Sequence, residues 1–154
     1  GYLPFSLNFD LTQRENAQSY HLDMPMNPIN SKAENVLNNV FFDLAKATLR
    51  PESRLELLNL TAYLKANPTL KIEVQGHTDS QGDAQKNLLL SEQRAMAVYQ
   101  FLLQEGIAAN RISYKGFGSK QPVISDAEIT ALNSEAQKAA AHQKNRRTTY
   151  TIIP

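Results

Sequence analysis

The stretch from Ile72 to Arg94 constrains this chain more than any other, because it dictates a strand, a polar loop and a helix in immediate succession. Ile72, Val74 and Gly76 alternate with Lys71, Glu73 and Gln75, the period-two pattern of a half-buried strand. The strand is expected to end at Gly76. His77-Thr78-Asp79-Ser80-Gln81-Gly82-Asp83 then gathers hydroxyl, carboxylate and amide groups in a short loop closed by a second glycine. Loops of this kind carry binding groups at the rim of a rigid scaffold. From Ala84 the residues favour a helix up to Glu105, with Gly106 as its stop.

Within that helix Asn87, Ser91 and Arg94 recur at helical spacing and share one face. Leu88, Ala95, Val98 and Leu102 form an adjoining apolar stripe suited to packing on a sheet. Helical side chains lean toward the N-terminus, so Arg94 reaches back toward the loop holding Asp79. A fixed carboxylate and a fixed guanidinium complement a ligand that carries an ammonium and a carboxylate on one carbon.

The pattern G-x-T-D-x-x-G (Gly76, Thr78, Asp79, Gly82), followed by N-x-x-L-S-x-x-R-A (Asn87, Leu90, Ser91, Arg94, Ala95), resembles the OmpA-like peptidoglycan-binding domain. The resemblance runs from about Val36 to Ile153. It implies that Asp79 and Arg94 grip the diaminopimelate side chain of a peptidoglycan stem peptide. It also implies a ligand role for Asp43, which follows Phe41 and Phe42 at the pocket rim. Thr78 and Asn87 become supporting hydrogen-bonders, and Leu90 an apolar wall or backbone contact. One of Arg146 and Arg147, in an N-R-R segment, completes the pocket, with Arg147 favoured. The sequence departs from the family pattern at Thr148-Thr149-Tyr150, where Val-Glu is more usual, and in the variable 119–144 connection.

With 154 residues, the chain suits one domain with an extension, and 42% hydrophobic content supplies a core. Net charge of +1 gives no electrostatic case for nucleic acid or an anionic membrane surface. No apolar run approaches the roughly 20 residues of a membrane span, and no secretory signal opens the sequence. The start at Gly1 reads as that of a mature or excised fragment. Without cysteine, disulfides, thiol catalysis and Cys-based zinc sites are excluded. His77 lies near Asp79, but His21 and His142 are remote in sequence, so His77 reads as a structural loop residue rather than a metal ligand. No G-x-S-x-G, H-E-x-x-H or P-loop pattern appears, and Ser91 has no evident base partner. Ser91 therefore reads as a helix residue on the rim of the site, and the expectation is a non-enzyme without cofactor.

Residues 1–35 differ in character from the rest. Leu3, Phe5, Leu7, Phe9 and Leu11 alternate, and Pro25 and Pro28 mark an edge strand running into a linker. The passage reads as an N-terminal extension, or as the tail of a β-module similar to those preceding OmpA-like domains in some Bacteroidota envelope proteins. The main domain is expected over 36–154. Val36 to Phe42 reads as its first strand. A helix follows from Arg50-Pro51-Glu52-Ser53, where Leu55, Leu58 and Ala62 join Leu57, Leu60 and Leu64 in a wide apolar face. It stops near Asn67-Pro68. A third strand is expected over Arg111–Gly116, helix over part of 126–142, and a last strand from Thr149 to Ile153. The order β-α-β-α-β-(α)-β predicts an α/β (α+β) two-layer sandwich with a mixed sheet of about four strands and the helices on one face. The resemblance implies the same fold.

Taken together, these readings predict a non-catalytic module that binds peptidoglycan in a Gram-negative periplasm, attached to an outer-membrane protein or complex. Its expected partners are peptidoglycan and other outer-membrane or periplasmic proteins. A peptidoglycan amidase or carboxypeptidase would need a metal triad or an activated nucleophile. The alternative is a protein–protein module of an envelope secretion or motility complex with weak or no wall binding.

Overall fold

A computed structural model describes residues 34–43 and 46–154 of the chain. The extension or β-module reading of the N-terminal passage, and the Bacteroidota parentage that rests on it, lie outside these residues apart from Glu34 and Asn35. In chain order the elements are β1 (Asn35–Val36), α1 (Ser53–Ala66), β2 (Lys71–His77), α2 (Ala84–Gln104), β3 (Ile112–Gly118), α3 (Asp126–Thr130), α4 (Glu135–Asn145) and β4 (Thr148–Ile153). The strands form one mixed four-stranded sheet in the order β1-β4-β2-β3. β2 and β3 run parallel across the α2 crossover, and β4 is antiparallel to both of its neighbours. The last strand of the chain thus enters the middle of the sheet, where Thr148, Thr149, Tyr150 and Ile152 are all buried.

Register explains the core. Ile72 and Val74 of β2 stand opposite Ile152 and Tyr150 of β4, so all four share one face of the pleat. Leu57, Leu60 and Leu64 of α1 and Ala95, Val98 and Leu102 of α2 join them in a single buried cluster. Burying each large apolar side chain contributes about 1.5–3 kcal/mol. Both long helices therefore lie on one face, as the sequence predicts. The apolar face of α1 is narrower than expected: Leu55 and Ala62 are exposed, because only the Leu57–Leu60–Leu64 stripe reaches the sheet.

The first strand is also shorter than expected. β1 pairs with Tyr150 and Thr149, and the Leu37 amide then reaches the Thr148 carbonyl. β4 begins at Thr148, so the ladder stops there. The chain turns at Asn38–Asn39, and Phe42 instead bridges Leu49 across the following loop. β2 extends to His77 and β3 to Gly118, each slightly past the expected end. The 126–142 region splits into α3 and α4, which open on Ser125 and Ser134 caps. α2 begins at Asp83, whose carboxylate accepts from the Lys86 amide at 2.8 Å. It ends where Gly106 adopts φ of 90°, with the Gly106 and Ile107 amides bonded back to Leu103 and Leu102.

α2 lies very close to the sheet. Gly76 and Gly116 are paired across β2 and β3, and α2 presses on both. A methyl group at Gly76 would stand 2.1 Å from the Ser91 carbonyl oxygen; one at Gly116 would stand 2.4 Å from the Glu92 amide nitrogen. Ser91 is fully buried in this seam, not on the rim of a site. Its hydroxyl accepts from the Gly118 amide at 2.8 Å and donates to the Leu88 carbonyl at 2.7 Å.

His77 closes β2 on the opposite face of the sheet, with a fully buried side chain. Its ring stacks on Phe117 with centroids 5.3 Å apart, and Nε2 lies 3.2 Å from the Glu34 carboxylate. Nδ1 is buried with no partner among the described residues, so a second ring proton would be left without an acceptor. Burial, reinforced by the Arg147 charge and only partly offset by Glu34, lowers the imidazole from its ordinary 6.5 to about 4.

Two outcomes follow from this packing. Gly76→Ala or Gly116→Ala should lower unfolding free energy by about 1–3 kcal/mol or more, read as a reduced urea midpoint; an unchanged midpoint would contradict the close helix–sheet contact. As pH falls from about 6.5 to about 4, unfolded His77 takes up a proton that the native ring refuses. Stability should therefore drop with acidification, by on the order of 2–3 kcal/mol across that window, and His77→Gln should flatten the slope between pH 7 and 4.5.

Candidate functional site

The loop after β2 is held by its own side chains. The Thr78 amide bonds the Gly118 carbonyl at 2.9 Å. Asp79 is buried, and its Oδ1 accepts from the Gln81 amide at 3.2 Å, a side-chain turn two residues long. Asn87, on the first turn of α2, donates to the Gln81 carbonyl at 2.8 Å and to the Asp79 carbonyl at 3.4 Å. Ser80 donates to Asp126, tying the loop to α3. Together these bonds fix the Asp79 carboxylate in place.

Arg94 is fixed just as firmly, from the other side. It is half-buried on α2, with Nε donating to the Lys46 carbonyl at 3.0 Å and Cζ lying 5.1 Å from the centroid of the Phe42 ring. Its terminal nitrogens make no hydrogen bond among the described residues. Burial lowers its pKa from the ordinary arginine value, Arg146 adds to the shift by repulsion, and Asp79 opposes it.

Arg94 opens into a cavity of about 300 Å³. Val40, Phe41 and Phe42 form its apolar wall, while Asp43, Arg50, Arg146 and Gln143 supply polar groups. Asp43 and Arg50 pair at 3.4 Å. Arg146 projects from the end of α4 and donates through Nη1 to Asp79 Oδ2. Its Nε and Nη2 both donate to Gln143 Oε1, at 3.2 and 2.7 Å. Asp79 is thus reached from the cavity through Arg146. An acidic acceptor beside paired guanidinium donors, against an aromatic wall, is suited to a zwitterionic ligand end.

Of the sequence-predicted residues, Arg94 and Asp43 line this cavity, and Asp79 lies behind it, bonded to Arg146. Asn87 braces the loop beneath Asp79. Thr78 is buried next to it, with a hydroxyl that has no partner among the described residues. Leu90 is half-buried on α2 and does not line the cavity. Arg147 does not line it either: it turns to the other face of the sheet, where it binds Glu34 at 2.8 Å and the Gln121 carbonyl at 3.1 Å. Of the two adjacent arginines, Arg146 is the one that lines the cavity. Arg146 is the last residue before β4, and α4 ends on it with backbone angles that belong to neither helix nor strand, so its direction could not be read from alternation. Gln143 and Arg50 were also missed by sequence reasoning. Gln143 had no signal beyond its position one helical turn before Arg146.

Among the described residues no group of three or more His, Asp or Glu is placed to hold a metal ion. No described helix is long and apolar enough to cross a membrane.

Comparison with known proteins agrees with this fold. The chain is 38% identical over 120 residues to the probable lipoprotein YiaD of Escherichia coli strain K12; the match covers 78% of this chain and 50% of that protein. The chain thus spans half the length of that relative. The crystal structure of the peptidoglycan-associated lipoprotein from Burkholderia pseudomallei superposes with a TM-score of 0.61 at 27% identity, covering 74% of this chain and 88% of that one. The cell wall anchor of the type VI secretion system from Pseudomonas aeruginosa superposes with a TM-score of 0.61 at 25% identity, covering 78% of each chain. A model of the OmpA family matches residues 41–149, most of the described domain and both halves of the site. The chain belongs to the OmpA family.

Proposed function

We propose that this domain is a non-catalytic cell-wall anchor whose cavity takes the diaminopimelate end of a peptidoglycan stem peptide. The observation that carries the reading is the arrangement of Arg94 and Asp79. Arg94 is held by a backbone carbonyl and an aromatic ring, leaving its terminal nitrogens for a carboxylate, and Arg146, which lines the same cavity, is bonded to the Asp79 carboxylate. Diaminopimelate carries an ammonium and a carboxylate on its terminal carbon, matching that pair. Asp43, Arg50 and Gln143 stand where the rest of the peptide would pass. A relative named as a peptidoglycan-associated lipoprotein and another described as a cell wall anchor support the same reading.

Each charge-assisted bond contributes about 1.5–3 kcal/mol, less the cost of immobilising the ligand. A single stem peptide is therefore held modestly, and attachment to the wall gains from the many copies present. The anchored partner is an outer-membrane protein or envelope complex, and the domain works in the periplasm.

Arg94→Ala and Asp79→Ala should each weaken binding of a meso-diaminopimelate stem tripeptide by at least about tenfold and abolish pull-down with isolated sacculi. Calorimetric titration checks the first and sedimentation with sacculi the second, with circular dichroism as the fold control. Undiminished binding in folded Arg94→Ala would overturn the assignment, as would loss of the fold in both variants.

A further inference from the structure

We propose that Arg146 is the selectivity element of this cavity: an internal cation seated on Asp79 that yields only to a ligand carrying a free carboxylate beside its ammonium. The inference rests on the diaminopimelate reading above and narrows it to the un-amidated form.

Both oxygens of Asp79 are occupied by groups of the protein itself. Oδ1 holds the Gln81 amide, and Oδ2 holds Arg146. An incoming ammonium must therefore take Oδ2 from a guanidinium already bonded there. The two arginines differ in how they are held. Arg94 is pinned by the Lys46 carbonyl and the Phe42 ring. Among the described residues, the Arg146 side chain is held otherwise by the amide of Gln143, an exposed residue one turn earlier on the same helix. Arg146 gives up only the Gln143 amide when it leaves Asp79, whereas Arg94 would give up a backbone carbonyl and a ring contact.

Displacement has a consequence for charge. Among the described residues, Arg50, Arg94 and Arg146 stand with Asp43 and Asp79 at the cavity, three guanidiniums against two carboxylates. Once an ammonium sits on Asp79, Arg146 and Arg94 confront each other in a partly buried cavity without a counter-charge. A carboxylate on the same carbon as the ammonium lies between them and accepts from both. A carboxamide is neutral, and a lysine side chain has nothing at that position. For either ligand the displaced guanidinium stays uncompensated, and Arg146 wins back Asp79. Arg146 acts here as a competitor for one subsite and an acceptor of charge at the next, so its removal should change relative more than absolute affinity.

The test is calorimetric titration of the 154-residue chain with three stem tripeptides: free-acid meso-diaminopimelate, its side-chain amide, and the lysine analogue. The wild type should prefer the free acid over either of the others by at least about tenfold. In Arg146→Gln the lysine peptide should bind several-fold tighter than it does to the wild type, and the preference for the free acid should narrow by that factor, the remainder being carried by Arg94. Arg146→Lys, which keeps the charge, should keep the preference, separating charge from packing. Equal weakening of all three peptides in Arg146→Gln, or an unchanged preference, would overturn the proposal. If the wild type binds all three alike, selectivity by Arg146 fails while wall binding stands. If it binds none, the diaminopimelate reading itself fails.

Discussion

Helix α2 meets the sheet where Gly76 and Gly116 leave no side chain between backbone and backbone, and the rest of the structure is arranged around that contact. Two paired glycines form a flat patch on adjacent strands. Ser91 fills it, bonding forward to the Gly118 amide and back to Leu88. A hydroxyl buried without those partners would cost about 1–3 kcal/mol; with them, it locks the helix in depth and in rotation. The apolar stripe of Ala95, Val98 and Leu102 then continues the same seam into the core.

Locking α2 at Ser91 places what stands on either side of it. Asn87, one turn earlier, meets the loop carbonyls of Gln81 and Asp79. Arg94, one turn later, turns out over Phe42 and opens into the cavity. The positions of Asn87 and Arg94 are thus set by the contacts of one rigid seam. That is the condition under which a few charge-assisted bonds discriminate between ligands. The remaining groups come from elsewhere in the chain: Asp43 and Arg50 flank the Phe42–Leu49 bridge, and Arg146 arrives from the end of α4. The insertion of β4 between β1 and β2 brings these distant pieces to one end of the sheet.

How much of this could be read in advance differs by element. The strand–loop–helix unit from Lys71 to Gln104 was legible because period-two alternation, a glycine-bounded polar loop and helical spacing all agree there. The positions of Asp79 on the loop and of Arg94 on α2 were legible for the same reason, since both belong to that local unit. The end of β1 was not, because it is decided by where β4 runs out, a partner more than a hundred residues away. The exposure of Leu55 was hidden by the run of leucines in α1, which suits two faces equally well. Ser91 was misplaced on the rim because the seam that buries it requires Gly116 and Gly118 of another strand. Arg146 and Arg147 are adjacent and chemically identical, yet they leave the chain on opposite sides. One closes on Asp79, and the other on Glu34 and the Gln121 carbonyl.

The most direct test of the account is a crystal structure of the chain with a meso-diaminopimelate stem peptide bound. The ligand should place its terminal carboxylate on the outer nitrogens of Arg94 and its ammonium on Asp79, with the backbone of α2 unmoved. A peptide seated on the opposite face, around Phe117 and Arg147, with the cavity beside Phe42 empty, would contradict it.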